Sequence, residues 1–385
     1  MPSRELPLLS PRERARYARH LALPEMGEAG QRRLKAGAVL IIGAGGLGSP
    51  AALYLAAAGV GRLGLVDFDT VDLSNLQRQV LHGSASLGRP KVESARARLA
   101  DLNPDVVLEA HAVRLTAANA RALVADYDVV VDGSDSFATR YLINDACGLE
   151  DRPMVYGGIF RFEGQAAVFH AGRGPCYRCL FPLPPPAGQA PSCAEGGVLG
   201  VLPGIIGTVQ ATEAIKLLLG LGESLLGRFL CFDALEMRFH EFRVRPNPAC
   251  ALCGETPSIF APADMEDPAC ALEEEAGSLG VVHLTPRELA LHLAEGEPPL
   301  LLDVRNPYEW DLCHLEGALL VPLDLLASRL EQLDPERETV IYCHTGVRSV
   351  VAAEFLRGQG FRRVANLLGG IHRWALEVDP GMPTY

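Results

Sequence analysis

Ala38-Val-Leu-Ile-Ile-Gly-Ala-Gly-Gly-Leu-Gly48 decides the fold. The five apolar residues from Ala38 to Ile42 predict a buried strand of a parallel sheet, where both faces must be covered. The glycines then predict a tight loop, and Gly48 to Ala58 predicts a helix. Leu63-Gly-Leu-Val-Asp67 reads as a second strand and Asp126-Tyr-Asp-Val-Val-Val-Asp132 as a later one. Strand, glycine loop, helix and strand open a doubly wound α/β domain. Gly43, Gly45, Gly46 and Gly48 let the backbone approach a phosphate at a helix N-terminus. Asp67, nineteen residues beyond Gly48, can hold a ribose hydroxyl. Alone, this loop fits a nicotinamide-dependent oxidoreductase as well as an ATP-using enzyme.

The following residues favour ATP. Asn75, Arg78 and Gln79 lie just past the second strand, and Lys91 follows in Gly88-Arg-Pro-Lys91. Converging cations suit a triphosphate better than a dinucleotide pyrophosphate. The chain has only three lysines among its 35 basic residues, which makes Lys91 a site candidate, with a solvated helix face as the alternative. No Gly-x-x-x-x-Gly-Lys-Ser/Thr loop occurs, which excludes a P-loop enzyme.

The run from Gly43 to Lys91, with Asp132-Gly-Ser-Asp135 after it, resembles the MoeB/ThiF adenylyltransferases over roughly residues 10–255. The resemblance implies a Rossmann-like domain that uses ATP and Mg²⁺ to adenylylate the C-terminal glycine of a small ubiquitin-like sulfur carrier. Carried over by motif, Asp67 holds the ribose, Asn75, Arg78 and Lys91 face the phosphates, and Asp135 takes Mg²⁺. Arg19 matches an arginine inserted into the neighbouring subunit's site, which implies a homodimer. Cys193, in Pro191-Ser-Cys-Ala-Glu-Gly-Gly197, matches a crossover-loop cysteine. Ser136 departs from the Asn usual after the aspartate.

Cys176-Tyr-Arg-Cys179 and Cys250-Ala-Leu-Cys253 form two C-x-x-C knuckles. Four thiolates so paired suit a closed tetrahedral Zn²⁺ site with a structural role. The alternatives are unrelated thiols or a redox pair, but neither knuckle reads as the start of a helix after a strand, where redox pairs stand. The resemblance also puts zinc here.

Leu300-Leu-Leu-Asp-Val304 and Thr339-Val-Ile-Tyr342 predict buried strands of a second, smaller α/β domain. Tyr342-Cys-His-Thr-Gly-Val-Arg-Ser349 follows the latter strand directly. A strand, a short glycine loop and a helix turn successive N–H groups inward, which favours the thiolate of Cys343. Four residues separate Cys343 from Arg348, a cradle better sized for a persulfide sulfur than for phosphate. With Leu302-Asp-Val-Arg305, Tyr308-Glu-Trp310 and His314-Leu-Glu-Gly-Ala318, residues 279–385 resemble a rhodanese. That implies Cys343 as nucleophile, Arg348 as its catalytic companion, and a sulfur donor upstream, either thiosulfate or a cysteine desulfurase persulfide. Cys147, Cys231, Cys270 and Cys313 read as structural thiols.

Composition bounds these readings. The formal charge of −12 over 385 residues argues against nucleic acid as a partner. Residues 256–385 hold 9 basic and 21 acidic side chains, whereas 1–255 hold 26 of each. The charge-free run from Ala36 to Gly61 contains seven glycines and a proline, too broken for a membrane span. No signal peptide is evident, so a cytoplasmic protein is expected. The expected organisation is an adenylyltransferase domain over 1–255, an acidic linker over 256–278 and a rhodanese domain over 279–385. Pro383-Thr-Tyr385 carries no Gly-Gly, so the chain is expected to be the activator rather than the carrier. The fusion resembles the molybdopterin-synthase adenylyltransferase/sulfurtransferases, in which sulfur transfer follows adenylylation. The competing readings are a nicotinamide oxidoreductase with a fused rhodanese-like domain and a non-catalytic scaffold.

Overall fold

The computed structural model describes residues 6–184, 197–265, 281–294 and 298–384. Those up to Met265 form one unit and those from 281 onward a second. The first unit is built on an eight-stranded sheet of β1 (Ala38–Ile42), β2 (Arg62–Val66), β3 (Val107–His111), β4 (Val129–Asp132), β5 (Met154–Phe160), β6 (Glu163–Phe169), β7 (Arg228–Asp233) and β8 (Arg238–Arg243). Their order is β3-β2-β1-β4-β5-β6-β7-β8. The strands from β3 to β5 run parallel and the rest antiparallel. The chain therefore reverses direction across the sheet between β1 and β4, and a crevice opens there at the carboxyl ends of the strands.

Every residue of β1 and β4 is buried, because helices cover both faces. One face packs Val39, Ile41, Leu63 and Val131 against the helix Gly48–Ala58 and the helix Leu202–Leu219. The latter is long and apolar enough to cross a membrane. It is nevertheless a core helix, because its buried Gln210 donates to the carbonyls of Asp132 (2.7 Å) and Val155 (3.0 Å) inside the sheet. The other face packs Leu40, Ile42 and Val130 against Ile143 and Ala146 of the helix Phe137–Leu149.

The later strand is shorter than Asp126–Asp132, the span its sequence suggests. Asp126 ends the helix Ala117–Ala125, and the Tyr127 N–H returns to the Val124 carbonyl. Only from Val129 do the residues pair with β1.

The second unit is a five-stranded parallel sheet of β9 (Val282–Leu284), β10 (Leu300–Asp303), β11 (Leu319–Leu320), β12 (Thr339–Tyr342) and β13 (Val364–Leu367). The order is β11-β10-β12-β13-β9, with β12 central and all four of its residues buried. Strand β12 thus delivers Cys343 at its carboxyl end, at the point where the helix Val347–Gly358 begins.

Candidate functional site

At the β1 carboxyl end, Gly43 turns with φ +95°. A Cβ there would lie 2.6 Å from the Gly133 carbonyl oxygen, and one on Gly48 would overlap the carbonyl of Gly43. These glycines are needed for backbone contact between the two loops. Gly45 differs, since a Cβ on it would meet only the Gln79 amide, at an ordinary 3.6 Å. The fold leaves that position open, as close approach of a ligand requires. The adjacent Gln79 is buried, and its Oε1 has no hydrogen-bond partner among the described residues. An open glycine beside an unsatisfied buried amide fits a polar ligand such as a nucleotide.

Asp67 accepts from the Ala44 N–H (2.8 Å) and the Asp69 N–H (2.9 Å). Burial raises its pKa, against the pull of Lys91. Lys91 opens the helix Lys91–Leu102 and is only 6% exposed, so it is not on a solvated face. Its Nζ lies 2.9 Å from Asp69 Oδ2. The Arg78 side chain passes within 3.7 Å of the β-position of Gly46, so Arg78 and the loop share one space. Asn75 Oδ1 is engaged locally, accepting from the Asp72 N–H at 3.2 Å.

On the β4 side, buried Asp132 accepts from the Ser134 N–H (3.0 Å) and hydroxyl (2.6 Å). Arg140 Nε stands 3.7 Å from its other oxygen. This pins the loop that presents exposed Asp135. Ser136 N-caps the following helix, accepting from the Thr139 N–H. Ser and Asn cap helices about equally well, so the departure at this position costs the fold little.

Arg19 is exposed and lies elsewhere. Tyr17, two residues before it, packs on Gly59 at the far end of the helix Gly48–Ala58. Eleven residues of helix, about 16 Å, separate that end from the glycine loop. Within one chain, therefore, Arg19 is not brought to the nucleotide loop. Cys193 and Cys270 lie outside the described residues.

The four knuckle cysteines converge, with all Sγ atoms within 4.8 Å of one another and four of the six separations between 3.4 and 3.8 Å. Cys176 does cap a helix, Tyr177–Leu180, contrary to the expectation from sequence. The other three thiols gathered around it set this site apart from a redox pair. Tetrahedral Zn–S bonds of about 2.3 Å imply sulfur separations of about 3.8 Å. Burial pushes Cys176 up, and Cys253 up to about 12. A cation would reverse this by stabilising the thiolates, so the site fits a thiophilic metal.

Cys343 is fully buried, and its Sγ accepts from the Gly346 N–H at 3.1 Å. Ser349 Oγ stands 3.4 Å from the same sulfur. Gly346 has φ +99°, and Gly370 has φ +58°. A Cβ on Gly370 would overlap the carbonyls of Cys343 and His344. The N–H groups of Ile371 and His372 bind those two carbonyls at 2.9 and 3.0 Å. Arg348 forms a bidentate pair with buried Glu309, at 2.8 and 2.7 Å. Burial and neighbouring His372 push His344 down to about 4, so it is neutral at physiological pH. The sequence did not mark Gly370, and it marked Glu309 only as part of Tyr308-Glu-Trp310 and not as the partner of Arg348, because both act through distant residues.

A ThiF family model matches residues 17–252, and a rhodanese-like domain model matches residues 285–377. The chain belongs to the ThiF family. "Probable adenylyltransferase/sulfurtransferase MoeZ" of Mycobacterium tuberculosis is 48% identical, covering 98% of this chain and 96% of that protein. "Adenylyltransferase and sulfurtransferase MOCS3" of Sus scrofa is 45% identical, covering 98% and 89%. In fold, the chain is similar to a crystal structure of E. coli MccB, with a TM-score of 0.55 and 22% identity over 62% of this chain and 75% of that one. The protein is an enzyme, an adenylyltransferase and sulfurtransferase. Its glycine loop is therefore not that of a nicotinamide oxidoreductase, nor is the chain a non-catalytic scaffold.

The Glu309 anchor is open to a direct test. Glu309→Ala leaves Arg348 without its buried counter-charge and should destabilise the second unit by about 3 kcal/mol. Thermal unfolding measures that loss, and thiosulfate-to-cyanide sulfur transfer should fall with it. Unchanged transfer would show that the cradle holds its shape without the pair.

Proposed function

We propose that the enzyme activates the C-terminal glycine of a small ubiquitin-like sulfur carrier ending in Gly-Gly and converts it to a thiocarboxylate. The observation that carries this reading is the pairing, in one chain, of a glycine loop open to a ligand at Gly45 with a buried cysteine whose sulfur accepts from the Gly346 N–H. Arg78 and Lys91 would neutralise the phosphates while the glycine carboxylate attacks the α-phosphorus and pyrophosphate departs. Asp135 is the exposed carboxylate suited to take Mg²⁺, which would supply further charge neutralisation. Support for a protein-sized substrate comes from the edge hairpin β7–β8. Its Leu235, Met237, Phe239 and Phe242 are each more than half exposed, with Phe239 and Phe242 on opposite faces of the sheet, apolar side chains of the kind that partners cover.

The resulting acyl-adenylate carries AMP as its leaving group. A persulfide on Cys343, charged by thiosulfate or by a desulfurase persulfide, attacks the acyl carbon through its outer sulfur and expels AMP. That leaves an acyl disulfide. The Cys193 thiolate, or an external thiol in its place, then attacks the Cys343 sulfur and releases the thiocarboxylate. The Cys193–Cys343 disulfide left behind is reduced by an external thiol. The role of Cys193 rests on the sequence. Zn²⁺ at Cys176, Cys179, Cys250 and Cys253 would be structural, since four thiolates fill its coordination shell. The chain is proposed to act in the cytoplasm as a homodimer, with Arg19 reaching the partner's nucleotide. The organisation proposed is residues 1–255 for adenylylation and 279–385 for sulfur transfer, joined by 256–278.

Lys91→Ala and Asp135→Ala should each lower carrier-dependent pyrophosphate exchange into ATP by at least 100-fold while remaining folded. Cys343→Ala should exchange normally but give no thiocarboxylate by mass spectrometry of the carrier. Thiocarboxylate formed at the normal rate by Cys343→Ala, with thiosulfate as the only sulfur source, would falsify the mechanism. For the shared site, Arg19→Ala and Asp135→Ala chains mixed as heterodimers should regain part of the exchange that each lacks alone. Verified heterodimers with no recovery would rule out the trans role. Metal analysis should find one Zn²⁺ per chain, lost from Cys176→Ser together with thermal stability of the first unit.

A further inference from the structure

We propose that His82 is a positioning residue of the nucleotide loop, holding the Ala44–Gly45 peptide so that the Gly45 N–H faces a phosphate of ATP. This deepens the ATP reading above and rests on it. His82 is buried, with Nε2 2.9 Å from the Ala44 carbonyl oxygen and Nδ1 3.0 Å from Ser94 Oγ. A carbonyl can only accept, so Nε2 carries the proton and Nδ1 accepts from the serine hydroxyl. Burial holds the imidazole in this neutral form. The other end of Ala44 is also fixed, since its N–H donates to Asp67 at 2.8 Å. Ala44 is therefore clamped from both sides.

The clamp belongs to a closed ring. Lys91 binds Asp69, the Asp69 N–H binds Asp67, Asp67 binds Ala44, and Ala44 binds His82. His82 binds Ser94, three residues along the helix that Lys91 opens. The loop and the lysine are thus registered to one another by a continuous hydrogen-bonded circuit. In a planar trans peptide, C=O and the next N–H point in opposite directions. With the Ala44 carbonyl turned inward to buried His82, the Gly45 N–H points outward. It has no hydrogen bond among the described residues, and the β-position of Gly45 is open. Any buried imidazole needs a partner for its N–H; what marks His82 is that this partner is the carbonyl of the peptide that presents the Gly45 N–H.

Two amides separate these roles. His82→Gln places an N–H donor near the Nε2 position, while His82→Asn places one near Nδ1 and leaves the Ala44 carbonyl bare. The experiment measures equilibrium binding of Mg·ATP alone to the full chain, with thermal unfolding alongside. The expected result is affinity within about threefold of the parent for His82→Gln and about tenfold weaker for His82→Asn, with similar unfolding temperatures. His82→Asn binding as tightly as the parent, or His82→Gln as weakly as His82→Asn, overturns the proposal. A parent chain that does not bind Mg·ATP overturns the ATP reading itself. Should His82→Asn not fold, Ser94→Ala carries the test, because it keeps the imidazole but frees its tautomer. It should then weaken binding by about threefold, and parental affinity there overturns the proposal.

Discussion

The carbonyl of Gly43 is the point on which the first candidate site is built. It lies against Gly48 and Gly133 so closely that a Cβ on Gly48 would overlap it and one on Gly133 would come within 2.9 Å. Backbone packed on backbone fixes the loop after β1 to the loop after β4 with no side chain between them. The two halves of the crevice are thereby set at one spacing, and the side chains that line it are placed relative to a rigid edge. Strand order supplies the crevice, and the glycine contact supplies its width.

Around this edge, the acidic groups at the mouth are occupied before any ligand arrives. Asp67 spends both oxygens on backbone N–H groups, Asp69 holds Lys91, and Asp132 holds Ser134. Asp135 is the exception, exposed at the mouth. Pre-committed carboxylates cannot swing in to repel a phosphate or capture an arginine, which leaves the field at the mouth to Arg78 and Lys91. Such preorganisation costs stability where burial raises a carboxyl pKa, as at Asp67 and Asp132. In return, little has to reorganise during the reaction.

Strands and loops were legible in the sequence wherever a short apolar run met glycine. Ala38–Ile42, Gly48–Ala58 and Thr339–Tyr342 fall where the pattern puts them, since burial on both faces leaves few alternatives. The four cysteines were legible because their spacing is itself the signal. His82 was not, and Glu309 was legible only as a residue of Tyr308-Glu-Trp310, without its role. Each is a common polar residue that acts on a partner, Ala44 or Arg348, 38 or 39 positions away in the chain. No local periodicity encodes such a pairing. Asn75 shows the converse, because its motif flags it while the structure shows its carbonyl oxygen engaged within its own turn.

The two sites also show how one loop design can serve anions of different charge. Both present backbone N–H groups where a central parallel strand gives way to a helix. At the first, Arg78 makes no ion pair among the described residues, and Lys91 is shared only with half-exposed Asp69. Arg78 is thereby left to meet a polyphosphate beside the glycine loop. At the second, Glu309 cancels Arg348 and His344 is neutral. What remains around Cys343 is the partial charge of peptide dipoles and the Ser349 hydroxyl. A field that weak suits a single negative charge on sulfur and gives little hold on a dianionic phosphate. The cancellation of Arg348 by Glu309 is therefore a stronger argument for sulfur chemistry than the length of the loop.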